Sequence, residues 1–127
     1  MRAARFAGED KIQLVDTEMP RLNGPDDVIV QVTCCGLCGS DKRLFHNGAS
    51  HIPGHEIAGV VHEAGAGASV KPGDRVIIYI PIYCGECKYC LAGETNRCQR
   101  VDGLVGWQRD GGYAEYVAVP ARNVIPI

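Results

Sequence analysis

The chain has 127 residues, of which 22% are charged and 46% hydrophobic, and its formal net charge is −2. These values are ordinary for one globular domain. No basic run is present that would attract nucleic acid, and no stretch of about 18 apolar residues is present that would span a bilayer. The first ten residues reach Glu9 and Asp10 too early to contain the apolar core of a signal peptide. We therefore expect a one-domain cytoplasmic protein that binds neither nucleic acid nor membranes.

Short segments rich in β-branched and aromatic residues alternate with turns along the whole chain, which contains 16 Gly and 7 Pro. This pattern predicts a mostly β barrel or sandwich. Only Asp41 to Asn47 and Lys88 to Ala92 have a helical pattern, and both are about two turns or less. The predicted strands lie at residues 28–32, 57–61, 75–80 and 113–119.

The first candidate site combines two motifs, Cys-Gly-Leu-Cys-Gly-Ser-Asp at residues 35–41 and Pro-Gly-His-Glu at residues 53–56. Together they offer a thiol, an imidazole and carboxylates, with glycines that let the backbone approach closely. This set suits an open zinc site in which water or substrate takes the remaining position. The spacing alone also allows a plainer interpretation, a buried cysteine near a hydrogen-bonded core histidine.

Residues 65–70 begin like the glycine-rich G-x-G-x-x-G turn that binds dinucleotides, but the last position is Val70. The chain then continues into Lys-Pro-Gly at residues 71–73 and not into a helix. A pyrophosphate site needs both the third glycine and the helix N-terminus. We therefore predict a simple turn here, with no dinucleotide bound by this chain.

The second candidate site is a run of four cysteines with the spacing C-x2-C-x2-C-x7-C. In a reducing compartment such a cluster is more often a metal site than a disulfide framework. Four thiolates close the coordination shell of one tetrahedral zinc, so we expect a structural site. An iron–sulfur cluster is the rival, although the last spacing does not fit the ferredoxin pattern. The predicted ligands are Cys84, Cys87, Cys90 and Cys98, with Lys88, Arg97 and Arg100 placed to offset their charge.

The order of these motifs resembles the zinc-containing medium-chain alcohol and polyol dehydrogenases. The resemblance includes Gly54-His55-Glu56-x2-Gly59-x5-Gly65 and the segment Asp-Gly-Gly-Tyr-Ala-Glu-Tyr at residues 110–116. The N-terminal domain of this family is a GroES-like β-barrel. The resemblance therefore implies a GroES-like β-barrel with short helices for residues 1–127, with a structural-zinc lobe at about 84–98.

The resemblance also implies roles for the residues of the first site. Cys38 and His55 correspond to ligands of the catalytic zinc, and Glu56 is an adjacent carboxylate that can approach or ligate the metal. Ser40 stands where the family uses a hydroxyl to accept the substrate proton, and Asp41 would orient His55. The implied reaction is oxidation of a small alcohol or polyol by hydride transfer to NAD or NADP.

Three residues depart from the family's pattern or have no role in it. Some members carry a histidine five residues after the catalytic cysteine, where this chain has Arg43. Cys34 and Cys35 match no family function, so we expect both to be small buried residues.

In this family, a third zinc ligand and the nucleotide-binding Rossmann domain follow the region that this chain covers. We therefore expect a catalytic-domain fragment that is inactive alone, from an enzyme that can form homo-oligomers through the Rossmann domain. A standalone zinc-stabilised GroES-like binding module without catalysis is the alternative, and a redox or iron–sulfur module is a third. The reading frame beyond Ile127 distinguishes the first two.

Overall fold

A computed structural model describes all residues from Met1 to Ile127, and the chain folds into two antiparallel sheets with two short helices. The helices are α1 (Asp41–Asn47) and α2 (Lys88–Leu91), with single 3-10 turns at Thr95–Arg97 and Ala121–Asn123. The strands are β1 (Arg2–Gly8), β2 (Lys11–Asp16), β3 (Asp27–Gly36), β4 (Glu56–Ala64), β5 (Arg75–Ile78), β6 (Tyr116–Pro120) and β7 (Val124–Pro126).

The larger sheet has the strand order β6-β3-β4-β5-β7, so β3 and β4 lie near its centre. The register between β3 and β4 shifts at two places, after Ile29 and after Val32. Such bulges bend a strand and increase its twist, so the sheet curls into a half-barrel. Its concave side is filled by valines from neighbouring strands, including Val30, Val61 and Val76, all less than 3% exposed.

The β1–β2 hairpin forms the smaller sheet, and the sequence pattern did not predict it. Its turn places Glu9 and Asp10 at φ angles of 50° and 58°, the left-handed conformation that tight hairpin turns require. On β1, Phe6 is buried and packs edge-on against Phe45 of α1, with ring centroids 5.5 Å apart. The Phe6 ring also lies 5.6 Å from that of Tyr113. The hairpin therefore anchors α1 beside the loop that carries the first candidate site.

The mostly β architecture and the two short helices are confirmed, but two predicted strands are shorter than expected. β5 ends at Ile78 because the next backbone N–H, that of Tyr79, donates to the carbonyl of Asn123, which lies in a 3-10 turn and not in a strand. β6 begins only at Tyr116, because the Tyr113 N–H donates to Pro53, outside the β3 ladder. The structure contains no helix with the length and apolar character needed to cross a membrane.

Candidate metal centres

The first cluster comprises Cys38, His55 and Glu56, whose potential ligand atoms all lie within 4.8 Å of one another. Cys38 lies in the loop that follows β3, while His55 directly precedes β4 and Glu56 is its first residue. The two strands are antiparallel, and Gly36 at the end of β3 pairs with Glu56 at the start of β4. Strand pairing therefore brings the two sequence motifs together at one end of the sheet.

Two glycines leave room for this convergence. A Cβ atom at Gly36 would collide with the Glu56 carboxylate, so only glycine leaves the carboxylate free at this point. Gly54 has a φ of 96°, which favours glycine, and a Cβ there would meet the backbone of Tyr113. The glycines that flank the metal-ligand candidates are thus part of the site's geometry.

A buried carboxylate lies behind the cluster. Asp41 is only 1% exposed, and its Oδ2 accepts hydrogen bonds from the Cys38 N–H (3.0 Å) and the Tyr113 hydroxyl (2.7 Å). Its Oδ1 lies 3.6 Å from His55 Nδ1, and neither of these two buried atoms has a hydrogen-bond partner. Asp41 therefore faces the inner side of the imidazole and leaves Nε2 on the opposite side.

The open side of the cluster carries Ser40 and an aromatic wall. The exposed Ser40 places its Oγ 3.4 Å from His55 Nε2. The Trp107 ring centroid lies 6.0 Å from that of His55, and the Arg43 guanidinium lies 5.8 Å from the Trp107 centroid. A hydroxyl, an indole and a cation therefore line the side from which solvent reaches the imidazole.

The segment at residues 110–116 belongs to the family resemblance, but its sequence indicated no role at this site. In the structure the Tyr113 hydroxyl contacts Asp41, so this residue belongs to the cluster's surroundings. Burial, and then the neighbouring Asp41 carboxylate, raise the pKa of this hydroxyl, so it stays protonated and donates. No periodicity in the sequence signals this contact, because it joins residues that are 72 positions apart.

The second cluster brings together the four cysteines of the predicted lobe, with all four sulfur atoms within 4.8 Å of one another. The closest sulfur pairs lie 3.5 to 3.8 Å apart. Four thiolates around one zinc at a Zn–S distance of about 2.3 Å would be separated by about 3.8 Å in a tetrahedron. The geometry therefore fits one tetrahedral ion. The four residues are Cys84, Cys87, Cys90 and Cys98.

Backbone N–H groups in the lobe point at the sulfur atoms. The Cys87 N–H donates to the Cys84 sulfur at 3.4 Å, and the Cys84 N–H donates to the Cys98 sulfur at 3.3 Å. Such donors favour the thiolate. The backbone N–H of Glu86 is the main cause of the lowered pKa of Cys84, and that of Gln99 helps to lower the pKa of Cys87 to about 6. The backbone of the lobe thus stabilises negative sulfur at Cys84 and Cys87, whereas burial raises the pKa of the Cys90 thiol to about 12.

Of the three basic residues predicted to offset this charge, Arg100 is the one that reaches a thiol. Its guanidinium lies 3.9 Å from the Cys84 sulfur and 2.8 Å from the Glu86 carboxylate. Lys88 and Arg97 instead lie over the Tyr89 ring, at 4.9 Å and 4.4 Å from its centroid. Neither Lys88 nor Arg97 contacts a sulfur atom in the way that was predicted, and Arg97 also pairs with the Glu94 carboxylate at 2.7 Å.

The expectation that Cys34 and Cys35 are both buried is wrong for Cys34. Cys34 is exposed, whereas Cys35 is half-buried, and burial is the main cause that raises the pKa of the Cys35 thiol to about 11. The bulge between Val32 and Cys34 inserts an extra residue and changes the alternation of inward and outward side chains. The sequence pattern could not reveal that bulge.

The prediction of a turn at residues 65–70 is confirmed. The Gly65 N–H donates to the Asp27 carbonyl at 2.8 Å, and the Gly67 N–H donates to the Pro25 carbonyl at 2.8 Å. A phosphate-binding loop needs free backbone N–H groups that point at the ligand. These two are already paired with the first residue of β3 and with the loop before it.

The curled antiparallel sheet, the four-cysteine lobe and the separate Cys38–His55–Glu56 cluster define a GroES-like domain with two candidate metal centres. Residues 24–127 match the family called the Alcohol dehydrogenase GroES-like domain, and this chain belongs to that family. The GroES-like fold that the sequence motifs implied is thereby confirmed, as is the resemblance to zinc-type medium-chain alcohol dehydrogenases.

Individual relatives cover nearly the whole chain. Galactitol 1-phosphate 5-dehydrogenase of Escherichia coli K12 is 36% identical over 121 residues, which are 91% of this chain and 35% of that protein. A cobalt and zinc bound thermostable alcohol dehydrogenase from Pyrobaculum aerophilum is 43% identical, with a TM-score of 0.88 over 99% of this chain and 40% of that one.

A short chain alcohol dehydrogenase from Escherichia coli CFT073, solved in complex with NADH, is 32% identical with a TM-score of 0.86, and the match covers 100% of this chain and 38% of that chain. The chain thus spans between 35% and 40% of the length of these three relatives.

Proposed function

We propose that the protein carrying this chain oxidises an alcohol or polyol by hydride transfer to NAD or NADP, and that this chain supplies its zinc sites. The observation that carries the proposal is the convergence of Cys38, His55 and Glu56, with a buried carboxylate behind the imidazole. Relatives named as alcohol and polyol-phosphate dehydrogenases support the same reaction class. The dinucleotide would be held by a Rossmann domain elsewhere in the protein.

The donor set of the first cluster fits zinc. A thiolate, an imidazole and a carboxylate are all zinc ligands, and these three leave one position of a tetrahedron for the substrate or for a ligand from another part of the protein. The unpartnered His55 Nδ1 faces the unpartnered Asp41 Oδ1, which leaves Nε2 available as the ligand atom. A carboxylate in this place fixes the ring orientation and makes the histidine a better ligand. Bound zinc would supply a Lewis acid that lowers the pKa of the substrate hydroxyl.

The remaining steps belong to the chain's own residues. Cys38, His55 and Glu56 hold the metal in place, and Asp41 orients the imidazole. The Ser40 hydroxyl lies beside His55 Nε2 and is open to solvent, so it can take the substrate's hydroxyl proton and pass it to water. In the full protein, the carbon that bears this hydroxyl would give a hydride to the bound nicotinamide. The alcohol would thereby lose one proton and one hydride and become a carbonyl.

We assign the four-cysteine lobe a structural zinc. Four sulfur ligands close the tetrahedron and leave no position for a substrate. A reducing environment keeps such thiols from forming disulfides, so we propose a cytoplasmic location. Homo-oligomers, if they form, would involve parts of the protein beyond this domain.

The proposal is tested by alcohol-dependent reduction of NAD and NADP in the full-length protein, comparing Ser40→Ala with the wild type. We expect the variant to lose about 100-fold in kcat, the size of effect that a proton-transfer group provides, with its zinc content unchanged. Ser50→Ala is the matched control, since Ser50 is also exposed and lies outside the cluster. A wild-type protein that reduces neither dinucleotide with any alcohol or polyol would refute the proposal.

A further inference from the structure

The Tyr113 hydroxyl contacts two groups that support the first cluster. Its one proton is donated to Asp41 Oδ2 at 2.7 Å, and the Gly36 carbonyl oxygen at 3.1 Å is a second acceptor for the same proton. The ring of Tyr113 is half-buried and packs 5.6 Å from that of Phe6, so the hydroxyl reaches the cluster from a fixed direction. Tyr113 makes no hydrogen bond with any of the three candidate ligands.

Through Asp41, this hydroxyl is linked to two of the ligands. The oxygen of Asp41 that accepts the Tyr113 hydrogen bond also accepts the Cys38 N–H at 3.0 Å. The other oxygen of the same carboxylate lies 3.6 Å from His55 Nδ1. Any rotation of the carboxylate would therefore change the surroundings of both Cys38 and His55.

Through Gly36, the hydroxyl is linked to the third ligand. Gly36 is the residue directly opposite Glu56 in the β3–β4 pairing, and the Glu56 carboxylate occupies the space where a side chain at position 36 would be. A displacement of the Gly36 peptide would move the surface against which Glu56 rests. The one hydroxyl therefore contacts both Asp41, which neighbours Cys38 and His55, and Gly36, which neighbours Glu56.

We propose that Tyr113 is a positioning residue, whose hydroxyl holds Asp41 and the Gly36 peptide in the arrangement in which Cys38, His55 and Glu56 converge on one metal ion. The inference rests on the proposed function, in which these three residues are ligands. It deepens that function by giving a role to the tyrosine of the segment at residues 110–116.

The physical reason is that Asp41 is buried and has only two donors for its carboxylate. Removing one donor leaves a buried charge less satisfied, which costs more than the loss of an ordinary hydrogen bond at the surface. The carboxylate would then turn toward another donor and loosen the Cys38 loop and the imidazole. Groups that support metal ligands in this way typically contribute about 10- to 100-fold in metal affinity.

Tyr113→Phe tests the inference, because it removes the hydroxyl and keeps the ring that packs on Phe6. Tyr116→Phe is the matched control from the same segment, since the Tyr116 ring contacts His62 and its hydroxyl makes no hydrogen bond. The first measurement is NMR of the ¹⁵N-labelled chain before any cobalt is added. It follows the ring nitrogens of His55 and the amide of Cys38.

We expect Tyr113→Phe to shift the His55 ring nitrogen signals and to speed hydrogen exchange at the Cys38 amide, whereas Tyr116→Phe leaves both as in the wild type. The second measurement is a Co²⁺ titration followed by the visible spectrum of the Cys38 site. Here we expect about tenfold weaker binding in Tyr113→Phe, with the four-cysteine lobe unaffected. A rotated Asp41 would change the spectrum as well as the affinity.

Wild-type NMR signals and wild-type cobalt affinity in Tyr113→Phe would overturn the inference. A wild-type chain that binds Co²⁺ only at the four-cysteine lobe would instead contradict the proposed function. In that case the NMR comparison still decides on Tyr113: altered His55 and Cys38 signals support its positioning role, and unaltered signals refute it.

Discussion

Asp41 Oδ1 and His55 Nδ1 lie 3.6 Å apart, and their side chains are only 2% and 7% exposed. The chain contains a second aspartate–histidine pair with nearly the same separation, Asp10 and His46 at 3.5 Å, whose side chains are 63% and 71% exposed. Solvent screens the exposed pair, whereas the buried pair interacts in a medium of lower dielectric constant. The two pairs therefore offer an internal comparison between a supporting carboxylate and a surface contact.

We predict that Asp41→Asn weakens metal binding at the Cys38–His55–Glu56 site by about 10- to 100-fold, because the neutral amide no longer favours the ring orientation that exposes Nε2. Asp10→Asn removes the same charge from the exposed pair and should leave the affinity unchanged. Co²⁺ titration of both variants checks this. Equal affinities in Asp41→Asn and Asp10→Asn would show that the buried carboxylate has no role in metal binding.

A second prediction concerns the glycine opposite Glu56. Gly36→Ala would place a Cβ where the Glu56 carboxylate lies, so the carboxylate must leave its position in the cluster. We expect about tenfold weaker binding at that site, with little change in the thermal unfolding temperature, since the displaced group is the flexible end of a side chain. Gly39→Ala is the control, because a Cβ there would meet no atom within 4 Å. Unchanged metal affinity in Gly36→Ala would mean that Glu56 is not a ligand.

The third prediction concerns the lobe. Cys90→Ser should abolish its tightly bound zinc and unfold the segment between Cys84 and Cys98, because metal binding and folding are coupled in closed thiolate sites. Cys34→Ser is the control, since Cys34 is exposed and outside both clusters. Elemental analysis of the purified variants is the measurement. Iron in the wild-type protein, or a folded lobe without metal, would rule out a structural zinc.

A fourth prediction concerns stability. The buried Asn123 amide donates to the carbonyls of Tyr79 and Pro81, both at 2.7 Å, and so fixes the chain that leads from β5 to the lobe. Asn123→Ala leaves both carbonyls without this donor and should lower the free energy of unfolding by about 2 kcal/mol. Urea denaturation checks this value against Asn96→Ala, an exposed residue for which we expect a change below about 0.5 kcal/mol.

Much of the fold could be predicted from local signals. The pattern of β-branched residues and turns predicted the mostly β sheet, and the helical segment that begins at Asp41 agrees with α1 residue for residue at both ends. The spacing of the four cysteines predicted their cluster, because neighbours in sequence must lie close in space. The turn at residues 65–70 was predicted from one missing glycine and the proline that follows.

What could not be predicted depends on long-range register. The bulge that exposes Cys34 is a property of the β3–β4 pairing and leaves no trace in the local composition. The contact of Tyr113 with Asp41 depends on where the segment before β6 crosses the end of β3. The early end of β5 depends on Asn123, which lies 44 residues from Tyr79. The roles of the site residues were implied by a family resemblance, because single residues such as Ser40 and Asp41 carry no local signal of their chemistry.

The most direct test of the central claim is the turnover of the full-length Cys38→Ala protein, with zinc content determined on the same sample. If the Cys38 site performs alcohol oxidation, the variant keeps the zinc of the four-cysteine lobe and loses dinucleotide reduction by about a thousandfold or more, whereas Cys34→Ala keeps both. Turnover at the wild-type rate in a Cys38→Ala protein that retains only the lobe zinc would contradict the account.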